Sequence, residues 1–324
     1  MHALYVFDEY TDRESSAGVR DISAVILDAL RNTDKPRPEG ELVLGEIIRE
    51  YAGHSYALRI GADDCGVSDS FWARGRAITT PEAEKHFIEA MEVYLEGVAY
   101  QAEDQEKQAI RTIETYMETR RMDSGVRPCL SPCEFHLSIP DEAFYHPVVK
   151  ELRDASIDLV VLDNVSSRPN VFSSCVLISP LQDIASYNRE QALGDASWNI
   201  LSVVMNQFKL DLYHATEWAA QYHKVAKARF LNALTQLPSF GTEVDVAMQE
   251  YVAGIAAWPR GNNSWCFESE RYFGTKGAQV RKVGKAPLLA KRVMDPEMRR
   301  EKVEVQLIDK LEQVPSDAIL FPGA

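Results

Sequence analysis

The sequence predicts an all-α protein organised as one helical domain. Apolar residues recur at helical spacing through most of the 324 residues, and the alternation typical of strands is scarce. Proline and glycine fall between the periodic stretches, where turns between helices are expected. The composition, 45% hydrophobic and 26% charged, is that of a globular chain long enough to bury a large core. We therefore expect a packed helical bundle.

Seven stretches carry the helical pattern. The first places apolar residues three and four positions apart and ends before two prolines. Thr80-Pro81 predicts a helix start, because threonine caps helices and proline is tolerated in the first turn. The predicted helices are 19–30, 42–58, 82–100, 104–119, 195–212, 218–234 and 244–258. Turns are expected at Pro36/Pro38, Gly61, Pro140, 238–241 and 259–263.

Charge and cysteine content disfavour several classes of protein. A formal net charge of -14 argues against a nucleic-acid surface. No window offers about 18 uninterrupted apolar residues and no secretory signal opens the chain, so we expect a cytoplasmic protein without a membrane span. The five cysteines include no Cys-x-x-Cys pair, which disfavours a disulfide framework or a zinc knuckle.

Two segments place oxygen ligands on one helical face. Ser186 and Glu190 lie four residues apart in the segment DIASYNRE, so a hydroxyl and a carboxylate are one helical turn apart. Asp8 and Asp12 have the same spacing near the start, with Glu9 beside them. Oxygen ligands at this spacing suit a hard divalent cation. The sequence therefore predicts a magnesium site.

The segment 165–182, VSSRPNVFSSCVLISPLQ, interrupts the helical pattern with five serines and two prolines. Val165 and Gln182 can be encoded by codons that begin with GT and end with AG, the bases that bound an intron. We hypothesise that this segment is a retained-intron insert. Without it, Asn164, Ser186 and Glu190 would fall at i, i+4 and i+8 of one helix and would supply three oxygen ligands.

Basic residues that can bind phosphate oxygens occur at three places. Arg120 and Arg121 are adjacent, Arg189 lies inside the metal motif, and Arg271 precedes Tyr272. A guanidinium group forks onto phosphate oxygens, and a tyrosine hydroxyl donates one more hydrogen bond. Aromatic residues that could line an apolar pocket for a cation are Phe7, Trp198, Trp258, Trp265 and Tyr272.

In combination these motifs resemble the metal-binding signature of class I terpene synthases, in particular the basidiomycete sesquiterpene synthases that include the protoilludene synthases. The resemblance implies a class I terpenoid synthase helical bundle over residues 1–291, lacking the N-terminal helices of that family, and a charged tail over 292–324. It implies that three Mg²⁺ ions bind at a metal site formed by Asp8, Asp12, Asn164, Ser186 and Glu190. It also implies diphosphate binding by Arg121, Arg189, Arg271 and Tyr272.

The same resemblance assigns Asp8, Arg121, Arg271 and Tyr272 to catalysis, with Arg121 preferred over Arg120 as the diphosphate sensor. The implied reaction ionises and cyclises farnesyl diphosphate to a cyclic sesquiterpene with release of diphosphate, in a monomer or homodimer. Product identity depends on pocket contours, which motifs do not encode.

Three other functions compete with this one. A trans-prenyltransferase would carry two similar Asp-rich motifs, whereas this chain has one. A zinc hydrolase is disfavoured because no His-Glu-x-x-His pair occurs. The third alternative is a catalytically inactive terpene synthase homologue. It stays open because Gln182, one methylene longer, takes the place of Asn164 in the chain as written, and the ligand geometry of Mg²⁺ is strict.

Overall fold

Helices dominate the structure, a computed structural model, as the sequence predicts. The helices α1 to α13 span, in order, Ser16–Arg31, Val43–Glu50, Phe71–Ile78, Pro81–Lys107, Ile113–Asp123, Val126–Leu130, Asp141–Phe144, Pro147–Val161, Gln182–Leu193, Ile200–Phe208, Leu212–Thr235, Thr242–Glu268 and Gly277–Val283. Strands β1, Cys175–Leu177, and β2, Lys285–Pro287, form an antiparallel pair in which Val176 faces Ala286.

The structure describes residues 7–8, 10–11, 14–33, 35–36, 38–50, 71–107, 109–162, 175–177, 182–194 and 196–291. They belong to one compact unit, Met1–Arg292. The predictions for 51–58, Gly61 and the tail 292–324, and those for Asp12 and Asn164, lie outside the described residues. None of the described helices is long and apolar enough to cross a membrane.

Two of the predicted helices are interrupted or shortened, for identifiable reasons. The predicted helix 104–119 is interrupted, because α4 continues to Lys107 and a new helix begins after Thr112, whose hydroxyl caps it by accepting the N–H of Thr115. The predicted helix 195–212 is shorter, and α10 begins only after the cap residue Asn199. Both errors come from cap residues that stop or start a helix inside an apolar pattern.

The turn predicted at 259–263 is also wrong, since α12 continues through Pro259 to Glu268. Proline lacks the N–H that would bond to the carbonyl four residues earlier, which belongs to Ile255. In this structure the hydroxyl of Ser156, on α8, donates to that carbonyl at 2.8 Å. The buried acceptor is therefore satisfied from a neighbouring helix, and the helix persists.

Among the described residues, the buried apolar side chains form two clusters. One gathers α1 and α4 around Phe7, Leu44 and Phe135. The other gathers α5, α8, α10, α11 and α12, and α8 is its most buried element, with every residue from 152 to 161 buried. Helix α4 meets the end of α5 at Gly97, and this contact connects the two parts of the core.

The contact at Gly97 leads to a testable prediction. A Cβ atom there would lie 2.6 Å from both the backbone nitrogen of Asp123 and the Cβ of Met122. We expect Gly97→Ala to lower the free energy of unfolding by about 1–3 kcal/mol, because the helices would be pushed apart. Gly261→Ala is the matched control, since no atom lies within 4 Å of a Cβ at that helical glycine. It is expected to stabilise by about 0.5–1 kcal/mol. Urea unfolding measures both, and equal effects would contradict the prediction.

Candidate metal and diphosphate site

Helix α9 carries Ser186 and Glu190, and both face one buried amide, that of Asn199. The Asn199 Nδ2 atom donates to Glu190 Oε2 at 2.8 Å and to Ser186 Oγ at 3.5 Å. Both side chains remain partly exposed, whereas Asn199 is completely buried. The hydroxyl and the carboxylate therefore converge on one amide at the edge of solvent. Two oxygen ligands of one cation must also lie close together, so the placement of these two groups is compatible with a shared cation.

Hydrogen bonds to the chain around β2 also fix helix α9. Asn188 Nδ2 donates to the carbonyl of Pro287 at 2.9 Å, and the N–H of Leu289 donates to Asn188 Oδ1 at 2.7 Å. Gln191 donates to the carbonyl of Leu289 at 2.8 Å. Because β2 pairs with β1, residues 175–177 of the predicted insert are tied to the metal-motif helix through β2.

The turn before α10 joins the metal motif to the end of α5. Trp198 is 9% exposed and donates its indole N–H to Asp123 Oδ2 at 2.7 Å. The next residue, Asn199, accepts the N–H of Leu201 at 3.0 Å and so caps α10. Two consecutive side chains therefore bond to two different parts of the site.

The acidic residue near the start of the chain is held by a buried tyrosine of α4. The hydroxyl of Tyr94 donates to Asp8 Oδ1 at 2.8 Å, and the ring packs edge-on against Phe7 with centroids 5.6 Å apart. Burial, together with the charges of Asp8 and Asp123, raises the pKa of the Tyr94 hydroxyl well above its usual value. Asp8 is thus bonded to α4 through Tyr94.

Removing the Tyr94 hydroxyl gives a second testable prediction. We expect Tyr94→Phe to lower the free energy of unfolding by about 1–2 kcal/mol, because a hydrogen bond to a charged group is lost. The raised pKa means that the unfolded chain releases this proton near pH 10 while the folded chain keeps it. The wild type should therefore lose stability as the pH rises through about 10, and the variant should lose less. Urea unfolding at about pH 8 and about pH 10.5 compares them, and an equal loss would contradict this assignment.

The two adjacent arginines bind different partners. Arg120 Nη1 lies 3.1 Å from Asp123 Oδ1, on the carboxylate that Trp198 also contacts. Arg121 forms a two-pronged ion pair with Asp158, with Nε–Oδ1 and Nη2–Oδ2 distances of 2.6 and 2.8 Å. Burial lowers the pKa of Arg121 and the Asp158 carboxylate raises it, with a net upward shift. Arg120, rather than Arg121, therefore shares a partner with the turn beside the metal motif.

Asp158 is a completely buried carboxylate between three helices. Its oxygens accept hydrogen bonds from Arg121 on α5 and from Nη1 of Arg229 on α11, the latter at 2.6 Å. Arg229 also binds Glu151 Oε1 at 2.8 Å. The charge of Asp158, in the buried stretch of α8, is thus compensated by arginines of both neighbouring helices.

The remaining predicted diphosphate residues lie towards solvent. Arg189 is exposed on α9, and Arg271 is exposed just after α12. The Arg271 guanidinium carbon lies 5.9 Å from the Tyr272 ring centroid, and that ring packs edge-on to Trp265 at 5.9 Å. Glu270, at a φ of 60°, turns the chain between α12 and this pair. Exposure leaves both arginines accessible to an anion.

Of the five predicted pocket aromatics, two are buried and three are partly buried. Phe7 and Trp198 are 2% and 9% exposed, and they lie in different core clusters. Trp258, Trp265 and Tyr272 are half-buried. Trp198 also packs 5.7 Å from the Tyr116 ring.

The donor set suits a hard cation, although part of it lies outside the described residues. Within the described ranges no group of three or more histidine, cysteine, aspartate or glutamate side chains could hold a metal. Ser186 and Glu190 offer a hydroxyl and a carboxylate, which are Mg²⁺-type ligands, and both point to the Asn199 amide. The residues present therefore fit an oxygen-ligated divalent cation.

Sequence reasoning missed three residues that organise this site. Asn199 precedes the apolar run ILSVV, a pattern that indicates a helix cap. Asp158 is isolated in the run ASIDLVV, where a lone charge signals a buried partner. Tyr94 gave no signal, because tyrosine in an apolar helical stripe is indistinguishable from ordinary core.

The first 229 residues match a known protein family. The family described as terpene synthase family 2, C-terminal metal binding, matches residues 1–229. The chain belongs to this family. Its expected all-α terpene synthase fold is confirmed, and the chain is a terpene synthase and hence a lyase.

Relatives of this terpene synthase include sesquiterpene synthase 14 of Postia placenta, which is 43% identical over 309 residues, 95% of this chain and 77% of that protein. Delta(6)-protoilludene synthase 18 of the same fungus is 41% identical over 305 residues, 94% of this chain and 76% of that protein. The structure of a linalool/nerolidol synthase from Streptomyces clavuligerus, in complex with 2-fluorogeranyl diphosphate, has a TM-score of 0.61 at 18% identity. The match covers 82% of this chain and 78% of the Streptomyces chain, so the two proteins share the fold.

Proposed function

We propose that this terpene synthase is a Mg²⁺-dependent sesquiterpene synthase that ionises and cyclises farnesyl diphosphate to a cyclic sesquiterpene and releases diphosphate. The observation that carries the proposal is the convergence of Ser186 and Glu190 on Asn199, beside the end of α5. The high identity to relatives named sesquiterpene synthase and protoilludene synthase supports the substrate. The catalytic domain is residues 1–291.

Ser186, Glu190 and Asp8 are the described residues that would hold the metal, with Asp12 and Asn164 as the further proposed ligands. Three Mg²⁺ ions are proposed from the resemblance. When bound, Mg²⁺ stabilises the negative charge that builds on a diphosphate leaving group. The contribution of the chain is to hold the Glu190 carboxylate in place through the Asn199 amide.

Arginine side chains would bind the diphosphate oxygens directly. Arg189 and Arg271 are exposed and can form forked hydrogen bonds, and the Tyr272 hydroxyl can donate a further bond. Of the adjacent pair, Arg121 is the residue that the resemblance favours, whereas the position of Arg120 beside Asp123 and Trp198 favours Arg120. Bonds to the leaving group lower the barrier to ionisation, because they strengthen as charge develops.

The aromatic side chains would exclude water and face the cationic chain. A carbocation is quenched by water, and the negative face of an aromatic ring stabilises positive charge. Trp198 is the best-supported wall residue, because it is buried and lies directly before Asn199. The fold of the isoprenoid chain in this pocket would determine the product.

Product analysis tests the proposed function. The purified chain is incubated with farnesyl diphosphate and Mg²⁺, and the products are separated by gas chromatography. A cyclic sesquiterpene is expected, and EDTA is expected to abolish its formation by chelating Mg²⁺. A second protein lacking 165–182 tests the retained-intron hypothesis: greater activity would support it, and equal activity would identify a tolerated segment. Absence of product from both folded proteins would refute the farnesyl cyclase proposal.

A further inference from the structure

Asn199 uses both ends of its amide in the interior of the protein. Its side chain is completely buried. The Oδ1 atom accepts the N–H of Leu201 at 3.0 Å, and the Nδ2 atom donates to Glu190 Oε2 at 2.8 Å and lies 3.5 Å from Ser186 Oγ. One side chain therefore contacts the first turn of α10 and two proposed metal ligands of α9.

The helix cap determines which end of the amide faces Glu190. The N–H of Leu201 belongs to the first turn of α10 and needs an acceptor, so it selects Oδ1 and not Nδ2. The NH₂ group must then point at Glu190, where it donates to one carboxylate oxygen. A neutral donor favours the charged carboxylate without adding a competing positive charge.

The backbone around Asn199 holds this amide in place. Trp198, on one side, donates to Asp123 at 2.7 Å. Ile200 and Leu201, on the other side, are completely buried in the core. Because the residues before and after Asn199 are held in the core, its side chain has a fixed position from which it can orient a metal ligand.

We infer that Asn199 is a positioning residue that orients Ser186 and Glu190 for a divalent cation and thereby sets the affinity for that cation. The inference rests on the proposed function of the site. Loss of a hydrogen-bond partner behind a metal ligand costs about 10- to 100-fold in metal affinity. The expected effect of removing the Asn199 donor is a shift of this size.

Two variants separate the positioning role from the capping role. Asn199→Ala removes both the donor to Glu190 and the cap acceptor. Asn199→Ser keeps a cap acceptor, because serine is a good N-cap, but it is too short to reach Glu190. Asp211→Ala is the matched control. Asp211 caps α11 by accepting the N–H of His214 at 2.9 Å, so this variant removes a helix cap whose hydrogen bond involves no proposed metal ligand.

The readout is the dissociation constant of Mn²⁺ in the presence of inorganic diphosphate, measured by electron paramagnetic resonance on the intact chain. Both Asn199 variants are expected to bind Mn²⁺ about 10- to 100-fold more weakly, while Asp211→Ala lowers the melting temperature and leaves Mn²⁺ binding unchanged. Unchanged Mn²⁺ binding in a folded Asn199 variant would overturn the inference, even if the chain cyclises farnesyl diphosphate. Weakened binding would support it, even if the wild type yields no product. A wild type without Mn²⁺ binding would overturn both proposals.

Discussion

Replacing Glu190 with glutamine is expected to reduce kcat/KM for farnesyl diphosphate by about 10²- to 10³-fold, the cost of removing one group that stabilises developing charge. Glutamine keeps the size of the side chain and one oxygen, so packing on α9 changes little. It removes the negative charge, and its NH₂ group can face the Asn199 Nδ2 atom, 2.8 Å from the present Oε2. Two donors would then oppose each other in place of a charge-assisted hydrogen bond.

The loss should appear as a higher Mg²⁺ concentration for half-maximal activity as well as a lower kcat. Glu217→Gln is the control, because Glu217 is an exposed carboxylate on α11 that accepts the Tyr213 hydroxyl, four residues earlier, at 2.9 Å. It is expected to keep both constants within about twofold, as surface substitutions do. Similar kinetics for Glu190→Gln and the control would remove Glu190 from the metal site.

Replacing Asp158 with alanine is expected to lower the free energy of unfolding by about 3 kcal/mol, the lower end of the cost of breaking a buried ion pair. The change leaves the Arg121 and Arg229 guanidinium groups without their shared acceptor. The side chains of the two arginines are 21% and 30% exposed, so water screens part of the charge. The helices α5, α8 and α11 would lose the cross-link that joins them.

Urea unfolding measures this loss against a surface pair. Glu92→Ala removes the exposed partner of Arg31 and should cost only about 0.5 kcal/mol. If Asp158→Ala were no more destabilising than Glu92→Ala, the buried carboxylate would not be a structural cross-link. Activity of the folded Asp158 variant then reports on Arg121, because that side chain is released from its ion pair.

The sequence was sufficient for most helices and for the pairing of motif residues along one helix. Ser186 and Glu190 share a face of α9 because a spacing of four residues fixes it locally. Contacts between distant segments were beyond local reasoning. Pro259 predicts a break, because proline leaves the carbonyl of Ile255 without its helical donor. The hydroxyl of Ser156, on another helix, donates to that buried carbonyl. Whether the helix breaks at Pro259 thus depends on a residue of another helix, which the local sequence around Pro259 does not reveal.

The adjacent arginines illustrate the same limit within the site. Arg120 and Arg121 are consecutive on a helix, so their side chains must point about 100° apart. Periodicity requires that they diverge but does not say which one faces the metal motif. The partners Asp123 and Asp158 settle the directions in the structure. Asp123 is a local partner, three residues after Arg120 on α5, whereas only tertiary packing brings Asp158 of α8 to Arg121.

A crystal structure with Mn²⁺ and inorganic diphosphate tests the central claim most directly, since anomalous scattering locates the metal. The account predicts a metal peak about 2.1 Å from Glu190 Oε1 and from Ser186 Oγ, with the Asn199 amide still donating to Oε2. A diphosphate should lie against that metal and against at least one of Arg120, Arg189 or Arg271. A metal bound elsewhere, with Glu190 and Ser186 in contact with Asn199 alone, would contradict it.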